Sequence, residues 1–176
     1  DEKLLISDGG GIANVFVYVK KGLADKVYPA ADQPAIIDQK GSIFRPRVQG
    51  IRVGQEVLMK NGDPFIHNIR SLSFKNRAFN IAQPANSPDR KKVFTKKEGP
   101  ITIKCDFHRW MTAHFFVMDH PFFAVTDARG AFRIPELPDG QYTIAAWHEE
   151  FGEQVKEITV SGGSADTGFS FKAESQ

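Results

Sequence analysis

The chain has 176 residues, with 23 Lys and Arg against 21 Asp and Glu, which gives a net charge of +2. This charge is too small to favour a nucleic-acid partner, and no DNA- or RNA-binding motif is present. The longest apolar runs fall short of the 18 residues that a membrane-spanning helix needs, so no membrane span is predicted. Forty-one per cent apolar and 25% charged residues are typical of a folded globular chain.

The Cys count and the first residues of the sequence bear on the compartment and the processing of the chain. A single Cys cannot form an intrachain disulfide, so Cys usage leaves the compartment undecided. The chain starts at Asp1 without a Met or a signal-like apolar segment. We therefore expect a processed form, or a part of a longer protein.

Turn signals are dense and helical periodicity is scarce, so the fold class is predicted to be all-β. The predicted strands are Ala13–Lys20, Ile43–Val48, Gly50–Lys60, Phe65–Leu72, Val93–Lys97, Ile101–Cys105, Phe115–Asp119, Phe122–Thr126, Ala131–Ile134, Gln141–Trp147, Gln154–Val160 and Thr167–Phe171.

The segment around His67 consists of a strand, a turn at Asn61–Pro64 and a second strand. Because side chains alternate along a strand, Phe65, His67 and Ile69 are expected on one face. Considered alone, His67 fits a hydrogen-bonded core histidine.

The segment from Cys105 to Met111 has the spacing Cys-x-x-His-x-x-Met, with His108 in the middle. With five His and three Met in 176 residues, the chance of this spacing after a given Cys is roughly 0.0005. Alternation along Ile101–Cys105 places the thiol on the apolar face of its strand. A thiolate, an imidazole and a thioether are three of the four ligands of a blue-copper site, so a second His is expected from elsewhere.

These two segments together resemble a cupredoxin, and the short ligand loop is most similar to that of the amicyanins. The resemblance covers residues 37–119 and implies a Greek-key β-sandwich holding one copper ion that cycles between Cu(I) and Cu(II). It implies His67, Cys105 and His108 as the trigonal ligands and Met111 as the weak axial ligand. Zinc is the main competitor for this donor set in vitro, and Met118 is an alternative to Met111.

The resemblance also implies supporting residues. The backbone N–H of Asn68 is expected to donate to the Cys105 sulfur. Many cupredoxins with this loop have Pro where this chain has Phe107, so the Phe107 N–H is a second candidate donor. The outer edge of His108, framed by Phe107, Arg109 and Trp110, is the expected electron port.

A second signature lies in residues 124–148, with a Thr-Asp-x-x-Gly turn, a Leu-Pro-x-Gly turn and a strand beginning at Tyr142. It resembles a carboxypeptidase regulatory-like, transthyretin-like β-sandwich. Residues 11–20 are similar to an early strand of that fold. The predicted organisation is a small sandwich from residues 1–36 and 120–176, into which the cupredoxin domain is inserted.

The function implied by these resemblances is single-electron transfer by a copper protein or module, not an enzyme. Its partners would be redox proteins, such as a cytochrome or a copper or haem enzyme, or a larger complex. The implied location is the periplasm or another extracytoplasmic space. The alternative is a non-redox sandwich that anchors a larger assembly, with copper absent or structural.

Overall fold

The structure is a computed structural model that describes residues 2–172, and within this range it contains strands and no helix. The predicted all-β class is therefore confirmed, and the described residues include no helix that could cross a membrane. Thirteen strands follow one another along the chain: β1 Phe16–Lys21, β2 Ala35–Gln39, β3 Phe44–Arg45, β4 Val48–Arg52, β5 Glu56–Asn61, β6 His67–Leu72, β7 Phe79–Gln83, β8 Arg90–Val93, β9 Glu98–Lys104, β10 Thr112–Met118, β11 Phe123–Val125, β12 Gly140–His148 and β13 Gly152–Val160.

The chain divides into two compact units, one from Val27 to Pro121 and one that combines the residues up to Lys26 with those from Phe122 onward. The sequence-based boundaries lay at 36/37 and 119/120. The observed boundaries, after Lys26 and after Pro121, lie ten and two residues from these positions.

The unit Val27–Pro121 is a β-sandwich. Its five-stranded sheet has the order β4-β10-β9-β6-β7, and its four-stranded sheet has the order β3-β2-β5-β8. Ile37 and Met59 from the smaller sheet and Ile69 and Ile103 from the larger sheet are all fully buried in one cluster. Burial of each such side chain stabilises the fold by about 1.5–3 kcal/mol, so this shared core holds the two sheets together.

The single strand predicted at Gly50–Lys60 is wrong, because a turn at Gly54 divides this segment between β4 and β5. Gly54 has a φ of 81°, in the left-handed region that favours glycine. The Gln55 side chain accepts the Arg52 amide at 2.8 Å and closes the turn. The chain therefore leaves the five-stranded sheet after β4 and enters the four-stranded sheet as β5.

The second unit has one sheet among its described residues, in the order β11-β1-β12-β13. The predicted strands Ala131–Ile134 and Thr167–Phe171 are wrong, because neither segment joins a ladder. Their aromatic and aliphatic side chains nevertheless pack on the buried face of the sheet, beside Val15 and Val17. The transthyretin-like identity of this unit stays a prediction.

Two antiparallel strands of the larger sheet set up the site. Arg70 of β6 pairs with Lys104 of β9. Since the strands run in opposite directions, the beginning of β6 and the end of β9 lie at the same end of the sandwich. This pairing brings His67, the first residue of β6, near Cys105, which directly follows β9.

Candidate metal centre

Cys105 is the inward-facing residue that follows β9. Ile101 and Ile103 are fully buried and Cys105 is only 2% exposed, as alternation along the strand predicts. The Cys105 amide donates to the Met111 carbonyl at 3.4 Å, and the Met111 amide donates to the His108 carbonyl at 2.9 Å. These bonds close the seven-residue loop into a compact turn above the thiol.

His67 and His108 both direct the same nitrogen at this thiol. Nδ1 of His67 lies 3.9 Å from Sγ of Cys105, and Nδ1 of His108 lies 3.8 Å from it. The ligand atoms of all three residues lie within 4.8 Å of one another. The structure thus brings Cys105 together with His67, which is 38 residues earlier, and with His108, which is three residues later.

The two sulfur–nitrogen distances can be compared with the separation expected for two ligands of one metal ion. A sulfur at about 2.3 Å and an imidazole nitrogen at about 2.0 Å from one ion, at the trigonal angle of about 120°, lie about 3.7 Å apart. The two observed separations, 3.9 and 3.8 Å, are within about 0.2 Å of that value. Both sulfur–nitrogen separations therefore suit a first-row metal ion bound between the thiol and each imidazole.

The tautomer of His67 also suits metal binding. Its Nε2 lies 2.8 Å from Oδ2 of Asp63, a carboxylate that is 8% exposed. A carboxylate can only accept here, so Nε2 carries the proton and Nδ1 presents its lone pair toward the thiol.

Asp63 is a site residue that the sequence analysis missed. Besides His67, it accepts the Gly41 amide at 2.7 Å and the Ser42 amide at 2.9 Å. Burial alone would raise the pKa of Asp63, but the two amides and His67 together lower this pKa below its ordinary value. The only sequence signal for Asp63 is its position in the turn, four residues before His67.

Met111 is 1% exposed and belongs to the same buried cluster as Cys105. Its loop bonds to Cys105 and His108 hold it beside the two other loop residues of the motif. Met118 is the last residue of β10, six positions after Thr112. Six residues of strand span about 20 Å, so Met118 lies at the opposite end of the sandwich and is the weaker axial candidate.

A polar network fixes the residue after Cys105. The Asp106 amide donates to Oδ1 of Asn68 at 2.7 Å, and the Asn68 side chain donates to Asp106 Oδ2 at 3.0 Å. Asn80 donates to the same carboxylate at 2.8 Å and, together with Arg70, lowers its pKa. Asn68 therefore supports the ligand loop through its side chain. The expected donation from the Asn68 and Phe107 amides to sulfur stays a prediction.

Aromatic rings surround the half-buried His108. The ring of Trp110 lies 5.3 Å from it, edge to face, and the ring of Phe65 lies 5.7 Å from it. The Trp110 indole donates to the Ser42 carbonyl at 2.9 Å, although the side chain is 65% exposed. Phe107 and Arg109 are also exposed, so the residues expected to frame His108 lie at the surface.

Comparisons with known proteins give a family match over part of the chain. Residues 98–168 match the family model described as polysaccharide lyase family 4, domain II. This stretch is less than half of the chain and extends across both compact units. The chain has no match among curated proteins.

Solved structures align with part of this chain. A Cu-containing nitrite reductase from Thermus scotoductus SA-01 is 21% identical, with a TM-score of 0.46, over 57% of this chain and 26% of the reductase. A purple cupredoxin from Nitrosopumilus maritimus is 25% identical, with a TM-score of 0.41, over 48% of this chain and 99% of that protein. A Cu(I) amicyanin variant is 16% identical, with a TM-score of 0.43, over 56% of this chain and 97% of amicyanin.

Each of these alignments covers roughly half of this chain, and the chain spans only about a quarter of the nitrite reductase. The matched structures include proteins named cupredoxin and amicyanin. The case for a metal centre in this chain comes from its own side chains.

Proposed function

We propose that the unit Val27–Pro121 is a mononuclear type 1 copper module that transfers single electrons between redox partners. The observation that carries the proposal is the convergence of two imidazole Nδ1 atoms on one buried thiol, at 3.9 and 3.8 Å. His67, Cys105 and His108 would hold the ion in a plane, and Met111 would be the axial ligand. Within residues 2–172 this is the one cluster of its kind.

The donor set favours copper. One thiolate, two neutral imidazoles and a thioether are soft to intermediate ligands, whereas Mg, Ca and Mn prefer oxygen. A structural zinc site more often has two or more Cys ligands. A copper ion held by these residues would supply a one-electron couple between Cu(I) and Cu(II).

The protein's part in electron transfer is to keep its ligands in place when the charge changes. The Asp63 contact fixes the ring of His67, and the backbone bonds of Met111 close the loop that carries His108. A site that is already formed needs little rearrangement between the two oxidation states, which favours fast transfer. The hydrogen bonds that hold His67 and the loop in place support this role.

The electron port in this proposal is His108 with its aromatic border. Four exposed apolar side chains lie on the loops around it, and they form a surface on which a partner could exclude water. They are Phe65, Ile66, Phe107 and Trp110. Arg109 adds a positive charge beside this surface, which suits a partner with an acidic rim.

The partner would be a cytochrome or a copper or haem enzyme, and the location would be the periplasm or another extracytoplasmic space. Both parts of the proposal are supported by the resemblance to cupredoxins. The second unit could position this module within a larger complex.

The test is the visible spectrum of the protein after addition of one equivalent of Cu(II). An intense charge-transfer band is expected in the wild type and should be absent from Cys105→Ser, because the colour requires a thiolate ligand. Met118→Leu is the control, since it changes a buried side chain at the other end of the sandwich and should leave the band intact. Far-UV circular dichroism should show the same β fold in all three proteins.

Two results would contradict the proposal. One is a wild-type protein that binds Zn(II) at this site but gives no coloured Cu(II) complex. The other is a Cys105→Ser variant that keeps the intense band.

A further inference from the structure

The environment of Asp63 shows more than a single contact with His67. Oδ1 of Asp63 accepts the Gly41 amide, at 2.7 Å. Oδ2 accepts the Ser42 amide at 2.9 Å and lies 2.8 Å from Nε2 of His67. Three donors thus hold one buried carboxylate in a single orientation, with one oxygen directed at the metal-binding imidazole.

The turn that supplies the two amides is specialised for this contact. Gly41 has a φ of 69° and Ser42 has a φ of 56°, so two consecutive residues adopt the left-handed conformation. For a residue with a side chain this conformation is sterically unfavourable. Successive N–H groups in such turns point to one side and bind anions, and here the anion is the Asp63 carboxylate.

The same turn also contacts the other half of the candidate site. The Ser42 carbonyl accepts the indole N–H of Trp110 at 2.9 Å. Trp110 in turn lies against the ring of His108, with 5.3 Å between ring centroids. The Gly41–Ser42 turn therefore supports His67 through Asp63 and supports the His108 loop through Trp110.

We infer that Asp63 is a positioning residue that holds His67 in its metal-binding tautomer and biases the bound copper toward Cu(II), which lowers the reduction potential. This inference rests on the proposed function. A full negative charge on the far nitrogen of a ligand imidazole makes the near nitrogen a stronger donor. Stronger donation stabilises the more positively charged ion, and a buried carboxylate acts in the same direction through its charge.

Asp63→Asn separates charge from geometry. An Asn whose Oδ1 replaces Oδ2 of Asp63 keeps the bonds to Ser42 and His67, and its NH₂ group then faces the Gly41 amide. The hydrogen bond to His67 is retained while the charge is lost. The ratio of Cu(I) affinity to Cu(II) affinity is expected to rise at least tenfold, which corresponds to an increase of about 59 mV for one electron.

Asp38→Asn is the matched control. Asp38 also accepts a backbone amide in this region, from Gly62 at 3.0 Å, but its carboxylate has no hydrogen bond to either histidine. The variant removes the same charge as Asp63→Asn, from a residue that lies near the Gly41–Ser42 turn in the sequence. It should change the affinity ratio less than threefold.

A measurement on the wild type covers the case in which Asp63→Asn does not fold. In the Cu(I) protein labelled with ¹⁵N-histidine, the Nε2–H of His67 should give a downfield proton signal that exchanges slowly with water. A fast-exchanging proton, or a His67 protonated on Nδ1, would overturn the inference.

The outcomes distinguish this inference from the proposed function. A wild-type protein without a coloured copper site removes the proposed function, and the inference falls with it. A coloured wild type whose affinity ratio is unchanged in Asp63→Asn, or changes equally in Asp38→Asn, refutes the inference alone.

Discussion

Glu98→Gln is expected to destabilise the protein by about 3 kcal/mol at neutral pH without changing the proposed copper site. Glu98 is the first residue of β9, the strand that leads to Cys105, and it is largely buried. Its carboxylate accepts the Ser73 hydroxyl at 2.6 Å, the Phe74 amide at 2.6 Å and the Asn76 amide at 3.0 Å. Burial would raise the pKa of Glu98, but these bonds outweigh it and lower the pKa to about 2.

The magnitude follows from this shift. The ordinary pKa of the carboxyl is 4.5, and a difference of about 2.5 units at about 1.4 kcal/mol per unit amounts to about 3 kcal/mol. Because the pKa is depressed in the folded state, this contribution is fully present above about pH 5 and is lost as the pH falls toward 2. At pH 3 roughly half of it should remain. In the Gln variant, one of the two carboxylate oxygens is replaced by an NH₂ group, which cannot accept the hydrogen bonds that this oxygen accepts in the wild type.

The assay is urea unfolding of the metal-free protein at pH 7 and at pH 3, compared between wild type and Glu98→Gln. The difference in unfolding free energy should fall from about 3 to about 1.5 kcal/mol between the two pH values. Glu56→Gln is the control, since its carboxylate pairs with Lys91 at the surface and exposed pairs contribute only about 0–1 kcal/mol. A difference below about 1 kcal/mol at pH 7, or one independent of pH, would refute the reasoning.

Two further predictions concern the ligand loop. Met111→Gln should keep copper bound but lower the reduction potential, because an amide oxygen is a harder ligand than a thioether and favours Cu(II); an unchanged potential by voltammetry would mean that Met111 is not a ligand. Phe107→Pro should also lower the potential, by up to about 59 mV if the lost N–H contributes about 1.4 kcal/mol. An unchanged or higher potential with an intact copper spectrum would show that the Phe107 amide does not donate to sulfur.

The clustering of His67, Cys105 and His108 could be predicted in part from the sequence. Cys105 continues the alternation of Ile101 and Ile103, and His108 is three residues further along a short loop. His67 required the resemblance as well as its strand pattern. Asp63 could not be predicted, since the amides that hold it come from Gly41 and Ser42, more than 20 residues earlier, and a turn sequence does not reveal its tertiary partners.

The sequence analysis did not predict β2 and β7, and it missed most of β8. β7 and β8 are edge strands of their sheets, and β8 consists of Arg90, Lys91, Lys92 and Val93. The charged side chains of β8 protect an edge strand from pairing with other chains, and they obscure its hydrophobic pattern. This reason does not apply to β7, which has no charged residue, or to β2, which is an inner strand. The opposite error occurs at Ala131–Ile134, where Phe132 and Ile134 pack on the sheet. The alternation of apolar residues in this segment correctly indicates which side chains are buried. It does not show whether the backbone forms the hydrogen bonds of a sheet.

The two sheets of the sandwich contribute different parts of the candidate site. The clustered side chains come from β6 and the β9–β10 loop of the larger sheet, whereas the Gly41–Ser42 turn joins β2 and β3 of the smaller sheet. Buried amides connect the sheets at this end: Gln39 donates to Gln83 at 2.9 Å, and Gln83 donates to the Met59 carbonyl at 3.1 Å.

Gln83 is the ladder partner of His67. The position of His67 is therefore fixed on one side by its own sheet and on the other by Asp63, which the opposite sheet holds through Gly41 and Ser42. The packing of the two sheets therefore helps to set the spacing of the clustered side chains. This arrangement explains how a buried thiol and two imidazoles converge within 4.8 Å of one another.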